Sequence, residues 1–221
     1  MWKEFTNRLV GNYEMFLYAI AGRYLELRTT GAVITPFAIK RLDIDAQRLA
    51  RNFYVASADS AEDFIAIVST HGSDELLASL TKREIAVLRL IGQMVAENVA
   101  QVLLAARTGT QGISKLLEAH GAMGLLVQRQ AGKIRFKSRD TSGRSWDSAS
   151  IFHVVVRDFA YQCWIDAALD NIADSDATDV YVAYQDATRN FVITLADLNA
   201  SKRKEIFHPN ASALPEAYVS P

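Results

Sequence analysis

Cysteine is nearly absent from this chain of 221 residues: Cys163 stands alone. A single cysteine makes no internal disulfide and excludes a zinc site of the CxxC kind, so the fold requires no oxidising compartment. Its neighbours in sequence, Phe159, Ala160, Trp164 and Ala167, suit a small buried apolar residue. A nucleophile would need a nearby cation or base to lower its pKa. Surplus charge is lacking too. The formal net charge is −1, so the molecule as a whole carries no general attraction for nucleic acid. A long apolar run is also missing, because Ile85 to Ala106 is interrupted by Arg89, Gln93, Glu97, Asn98 and Gln101. Those residues are costly in lipid, and no membrane span is expected. Trp2-Lys3-Glu4 opens an amphipathic pattern at once, so no secretory leader is expected at this end.

The signatures of catalysis are missing as well. There is no glycine-rich phosphate loop, HExxH, GxSxG or EF-hand pattern. His71, His120, His153 and His208 are scattered, and none has a second histidine three or four residues on. Carboxylate pairs such as Glu62-Asp63 and Asp74-Glu75 read as solvated faces and helix starts. The expectation is a protein that is not an enzyme, with no cofactor, no metal and no catalytic residues.

What is present is ordinary globular material: 50% of residues are hydrophobic and 22% charged, enough for a sizeable core and far from disordered compositions. Trp2, Phe5, Leu9, Tyr13, Phe16, Ile20, Tyr24 and Leu27 step by three and four, one side of an aromatic-rich helix that ends near Gly31. That stripe suits a core helix, or a face on which copies associate. Thr35-Pro36 starts a second helix, with proline in its first turn and Ile39, Leu42, Ala46, Leu49 and Phe53 in period. Ser57 to Ser60 reads as a polar break, His71-Gly72-Ser73 as a stop and Asp74 to Leu80 as a short helical piece. Thr81-Lys82-Arg83-Glu84 has the form of a capping box. After it, Ile85, Leu88, Gly92, Val95, Val99 and Val102 form a heptad-like seam, with Gly92 permitting close approach. A long helical hairpin against the first helix, or packing on another subunit, follows from that seam.

Further on, Ile113 to Val127 resumes a helical pattern weakened by Gly121 and Gly124. Lys133 to Lys137 alternates basic and apolar residues, as a half-exposed strand does. Asp147 suits the N-cap of a broadly apolar helix through Ile172, and Trp146 could staple onto Ile151. Val180 to Tyr184 and Phe191 to Ile193 flank a turn and predict a β-hairpin, followed by a short helix around Leu195 to Lys204. The reading is mainly α with a small β-hairpin and strand element in the C-terminal part, an α+β chain. It divides into a helical domain 1–128, a basic strand-turn, buried helix and hairpin region 129–205, and an extended tail 206–221.

One stretch rises above composition. Arg129, Lys133, Arg135, Lys137, Arg139 and Arg144 are set against Asp140 alone, while acids outnumber Lys and Arg from Trp146 onward. Such a basic strand-turn can contact phosphates or an acidic partner surface, without base readout. It is equally the composition of a solvated edge strand protected from aggregation.

Several C-terminal pieces, in order, resemble the head-morphogenesis (minor head protein) family of tailed bacteriophages. That family shows a D-x-x-G-R-x-W turn leading into a helix with a V-R motif. Here the pieces are Asp140-Thr141-Ser142-Gly143-Arg144-Ser145-Trp146 and Val155-Val156-Arg157. A helix rich in small residues (Ala167-Ala168-Leu169), a V-x-V strand (Val180-Tyr181-Val182) and a terminal Phe207-His208-Pro209-Asn210 follow in the family's order. The resemblance covers roughly the last 90 residues. It departs where the family places cysteines: Ala211 follows Asn210, so any clamp built on them is absent and packing must serve instead. Gly143, Arg144, Trp146, Arg157, His208, Pro209 and Asn210 read as holding turns and a helix start, not as catalytic. The resemblance implies a low-copy virion or assembly protein, made in the bacterial host cytoplasm, on the portal or inner capsid. Double-stranded DNA, bound non-specifically through the basic stretch, would be a second partner. A different class fits the N-terminal patterns: a helical adaptor or regulatory protein that self-associates through its aromatic and heptad stripes.

Overall fold

A computed structural model describes residues 1–29, 34–108, 136–139, 144–175, 177–184, 190–208 and 214–219. The chain is mainly helical with small strand elements in its C-terminal part. In order, the described elements are α1 (Trp2–Thr29), α2 (Pro36–Val68), α3 (Asp74–Thr108), β1 (Lys137–Arg139), β2 (Ser145–Asp147) and α4 (Ser148–Asp174). β3 (Asp179–Ala183), β4 (Phe191–Thr194), α5 (Ala200–Ile206) and β5 (Glu216–Val219) complete it. The contacts sort these elements into two compact units, and both units draw on α1, α2, α3 and α4. The division expected between 128 and 129 lies outside the described residues, and the one expected after 205 falls inside α5.

One unit comprises Asn7–Asp59 and Leu88–Val154. Its centre is aromatic. Tyr13 of α1 stacks on Phe152 of α4, with ring centroids 3.9 Å apart, and Phe16 stacks on Phe53 of α2 at 5.3 Å. Tyr13 and Phe152 expose none of their surface. The aromatic stripe of α1 is therefore core, and its side chains from Trp2 to Tyr24 are buried within the chain rather than offered to a partner. Thr35 caps α2 as its sequence implies: its Oγ1 accepts the Ala38 N–H at 3.2 Å, and Pro36 occupies the first turn. Gly92 permits the close approach read from sequence, since a methyl there would lie 3.3 Å from the Tyr54 ring.

The other unit comprises Met1–Thr6, Ser60–Val87 and Val155–Pro221. Phe5 stacks on Phe64 at 4.4 Å, and Trp2 meets Tyr161 edge-on at 5.4 Å. The hairpin of β3 and β4 forms as expected, but β3 is the middle strand of a three-stranded antiparallel sheet ordered β4-β3-β5. Part of the tail expected to extend away is thus an edge strand, paired from Val180↔Val219 to Ala183↔Glu216. Val180 and Val182 on the inner face of β3 give the tail its reason to pair, because both are wholly buried.

Two helix boundaries differ from the sequence reading. No break occurs at Ser57 to Ser60: α2 runs through, and the buried Ser57 hydroxyl donates to the Phe53 carbonyl at 2.8 Å. A serine inside a helix can satisfy itself on the preceding turn, so a polar run alone does not end one. Nor does Thr81 cap a helix. α3 already begins at Asp74, and Thr81 Oγ1 donates back to the Leu77 carbonyl at 2.9 Å. The working cap is Ser73, whose Oγ accepts the Leu76 N–H at 3.1 Å. Gly72 precedes it, and a methyl there would come within 2.4 Å of Leu76 Cδ2, so that side chain would have to shift. The heptad-like seam is buried at Val95, Val99 and Val102, whereas Ile85 is 54% exposed. The buried line passes through Leu80, Val87 and Ile91 instead. By length and composition α3 is the one helix among the described residues long and apolar enough to cross a membrane.

Replacing Phe152 by Ala should lower stability by about 3–5 kcal/mol, the range for emptying a fully buried aromatic site. Phe37→Ala, at a residue 76% exposed, should change it by less than about 0.5 kcal/mol. Urea denaturation of both variants against the parent measures the contrast.

Candidate functional site

The basic stretch singled out in the sequence is described in two pieces, 136–139 and 144–147, which pair as an antiparallel ribbon. The register sets Lys137 opposite Asp147, Ser138 opposite Trp146 and Arg139 opposite Ser145. The strand expected over 133–137 lies outside the described residues except for Phe136, which is buried, and Lys137, which is exposed; β1 continues from Lys137 to Arg139, with Ser138 buried. Arg144 is exposed at the entry to β2. Arg129, Lys133, Arg135 and Gly143 lie outside the described residues, as do Pro209 and Asn210.

What positions the ribbon is a line of buried polar groups. Tyr13 donates its hydroxyl proton to Asn98 Oδ1 at 2.5 Å, and Asn98 Nδ2 donates to Ser148 Oγ at 3.0 Å. Ser148 Oγ lies 2.9 Å from Ser138 Oγ on β1, and the Ser148 N–H donates to the Phe136 carbonyl at 2.9 Å. Burial raises the Tyr13 phenol well above its ordinary pKa, which keeps it protonated as the donor this line needs. Gln101 of α3 completes the attachment. Its Oε1 accepts the Lys137 N–H at 3.1 Å and its Nε2 donates to the Lys137 carbonyl. The Lys137 backbone is thus held on both sides while its side chain reaches into solvent.

Trp146, expected to staple onto Ile151, is 48% exposed on β2. At the helix start itself, Asp147 Oδ2 accepts a hydrogen bond from the Ser150 hydroxyl at 3.3 Å.

Arg157 and His208 belong to the other unit, where both act on Asp158. Partial desolvation raises the Asp158 carboxyl, and the charges of Arg83, Arg157 and His208 oppose that rise. The segment around His208 is tied to α4 by neighbouring groups. Gln162 Nε2 donates to the Phe207 carbonyl at 2.9 Å, and the Tyr161 hydroxyl donates to the Pro215 carbonyl at 2.8 Å. These ties hold the segments around Phe207 and Pro215 against α4.

The sequence reading missed a second polar centre in this unit. Asp166 is buried and receives Arg83 Nε at 2.9 Å and the Arg203 guanidinium on its other oxygen. One turn on, Asp170 accepts both the Ser73 N–H at 2.8 Å and its hydroxyl at 2.7 Å. Both carboxylates border a concavity of about 300 Å³ with Leu76, Ser79, Leu198 and Arg203. Their acceptor capacity is turned on the protein itself: one ties α5 to α3, the other fixes the start of α3. Nearby Cys163 is fully buried, and burial pushes its thiol up to about 12, outweighing Arg83. No group of three or more His, Cys, Asp or Glu able to hold a metal occurs among the described residues.

The two units also divide the charge. The unit holding the ribbon has sixteen Lys and Arg against nine Asp and Glu, and the other has eight against sixteen. A near-neutral total thus hides one cationic and one anionic unit, and the ribbon lies in the cationic one.

Asn98→Ala should cost about 1–3 kcal/mol by leaving Tyr13 and Ser148 short of a partner. The double variant with Tyr13→Phe should cost less than the two singles added, which a double-mutant cycle of denaturation curves checks. Cys163 should resist thiol reagents at pH 8 in the native protein and react only as the chain unfolds, a rate followed by absorbance with a chromogenic disulfide.

Comparison of the chain with protein-family models, with curated proteins and with solved structures gives no match.

Proposed function

We propose that this chain is a non-enzymatic minor head protein of a tailed bacteriophage, a low-copy assembly component of the virion that binds the portal or inner capsid. The observation that carries the reading is the order of the C-terminal pieces from Asp140 to Asn210. What is described of those pieces agrees with structural work. Arg144 and Trp146 sit on a ribbon feeding α4, and hydrogen bonds tie Phe207 and Pro215 back onto α4. A second contact, with packaged double-stranded DNA, is supported by the cationic surplus of the ribbon's unit and by the exposure of Lys137 and Arg144. The contact would be made through phosphates, because a short ribbon of Lys and Arg offers no base-reading helix. The adaptor reading, which rests on the aromatic and heptad stripes, has less support, since the first is buried in the chain's own core and the second is buried at Val95, Val99 and Val102.

Quantitative mass spectrometry of particles from the phage or prophage encoding this chain should find a few copies per particle, far below the major capsid protein. Complete particles without it would remove the virion role. For the DNA contact, replacing Lys137, Arg139 and Arg144 together by Ala should flatten the slope of log affinity against log salt by about 3, one unit for each lost phosphate contact. An unchanged slope would assign the contact elsewhere.

A further inference from the structure

α2 carries two opposed lines of side chains. One is buried in the core, through Leu42, Ala46, Ala50, Phe53 and Ser57. The other faces solvent and is as regular. Phe37, Ile44 and Val55 lie on it, 76%, 60% and 49% exposed. Arg41, Arg48 and Arg51 fill the places between them, and Asp59, Glu62 and Ala66 continue the line, all of them exposed. The steps are of three or four residues, with two fours meeting at Val55, so the line keeps to one side of the helix. Water alone gives no reason to set large apolar residues on one such line.

The order of charge along that line is the second observation. Every cation precedes Val55 and both carboxylates follow it. Two copies laid parallel would set arginine on arginine. Laid antiparallel about Val55, they set Val55 on Val55, Arg51 on Asp59, Arg48 on Glu62 and Ile44 on Ala66. Each pairing then occurs twice, as a two-fold axis demands. Arg48 already pairs with Asp45 at 2.9 Å, but with 65% of its side chain exposed that pair is readily exchanged.

We propose that the solvent face of α2 is the interface of a two-fold dimer of this chain, with two α2 helices antiparallel and crossing at Val55. The proposal stands apart from the virion reading and does not need it. Duplex DNA suits the face less well: it could use the three arginines, has no use for Ile44 and Val55, and is repelled by Asp59 and Glu62.

Sedimentation velocity of the full chain should show a reversible monomer–dimer equilibrium that weakens with added salt. Val55→Asp, which places two carboxylates on the axis, should leave a monomer with an unchanged thermal melt. Arg51→Asp should weaken the dimer about tenfold, and adding Asp59→Arg in the same chain should restore it, because the pair is only exchanged. Under mild oxidation Val55→Cys should form a disulfide dimer far faster than Gln47→Cys, with Cys163 silent because it is fully buried. A monomer at every concentration overturns the proposal, as does equal crosslinking of the two cysteine variants. DNA binding that falls with Arg51→Asp in a chain that stays monomeric overturns it too, and assigns the face to nucleic acid.

Discussion

Asn98 is a primary amide in the buried face of α3, and the elements packed around it must supply its hydrogen bonds. An aliphatic residue there would accept many arrangements of neighbours, whereas an amide accepts few. Tyr13 has to sit one way on α1, Ser148 has to fall at the first position of α4, and Ser138 has to face inward on β1. Once those three are placed, strand alternation turns Lys137 outward. The outward turn of Lys137 is thus decided by a polar group on α3.

Elements whose signal is local were legible in the sequence, and those that rest on distant partners were not. The stripe of α1, the Thr35-Pro36 start and the β3–β4 hairpin follow from spacing and turn chemistry within a few residues. The capping box misled because a threonine three residues before a glutamate also fits inside a helix, where Thr81 bonds to the preceding turn. Ser57 misled for the same reason. β5 pairs with β3 from far along the sequence, Tyr181 with Tyr218 across 37 residues, and nothing local announces it. The same is true of the Arg83–Asp166–Arg203 group, whose members lie on three elements far apart in sequence. Of the candidate site, only its alternation and its cationic character could be read ahead of the fold.

Charge shows how linear and folded views diverge. Along the sequence, one short cationic stretch interrupts a balanced chain. Folding interleaves the segments, so Arg41, Arg48 and Arg51 of α2 join that stretch in one unit, while the acids of α4 gather in the other. Net charge predicts how a molecule behaves at long range. Contact is governed by the charge of whichever unit does the touching.

The grip of Gln101 on Lys137 has a consequence for assembly. A side-chain amide offers one donor and one acceptor with the spacing of a peptide group. Here it meets the backbone N–H and carbonyl that a neighbouring strand would otherwise take. Gln101 therefore behaves as a one-residue third strand, sealing the outer margin of β1 at its middle. The ribbon cannot be lengthened sideways by a strand from another chain there, a safeguard that usually falls to charged residues or bulges. Among the described strands β2, β4 and β5 are the margins that pair on one side only, and no such grip is placed on them by Gln101.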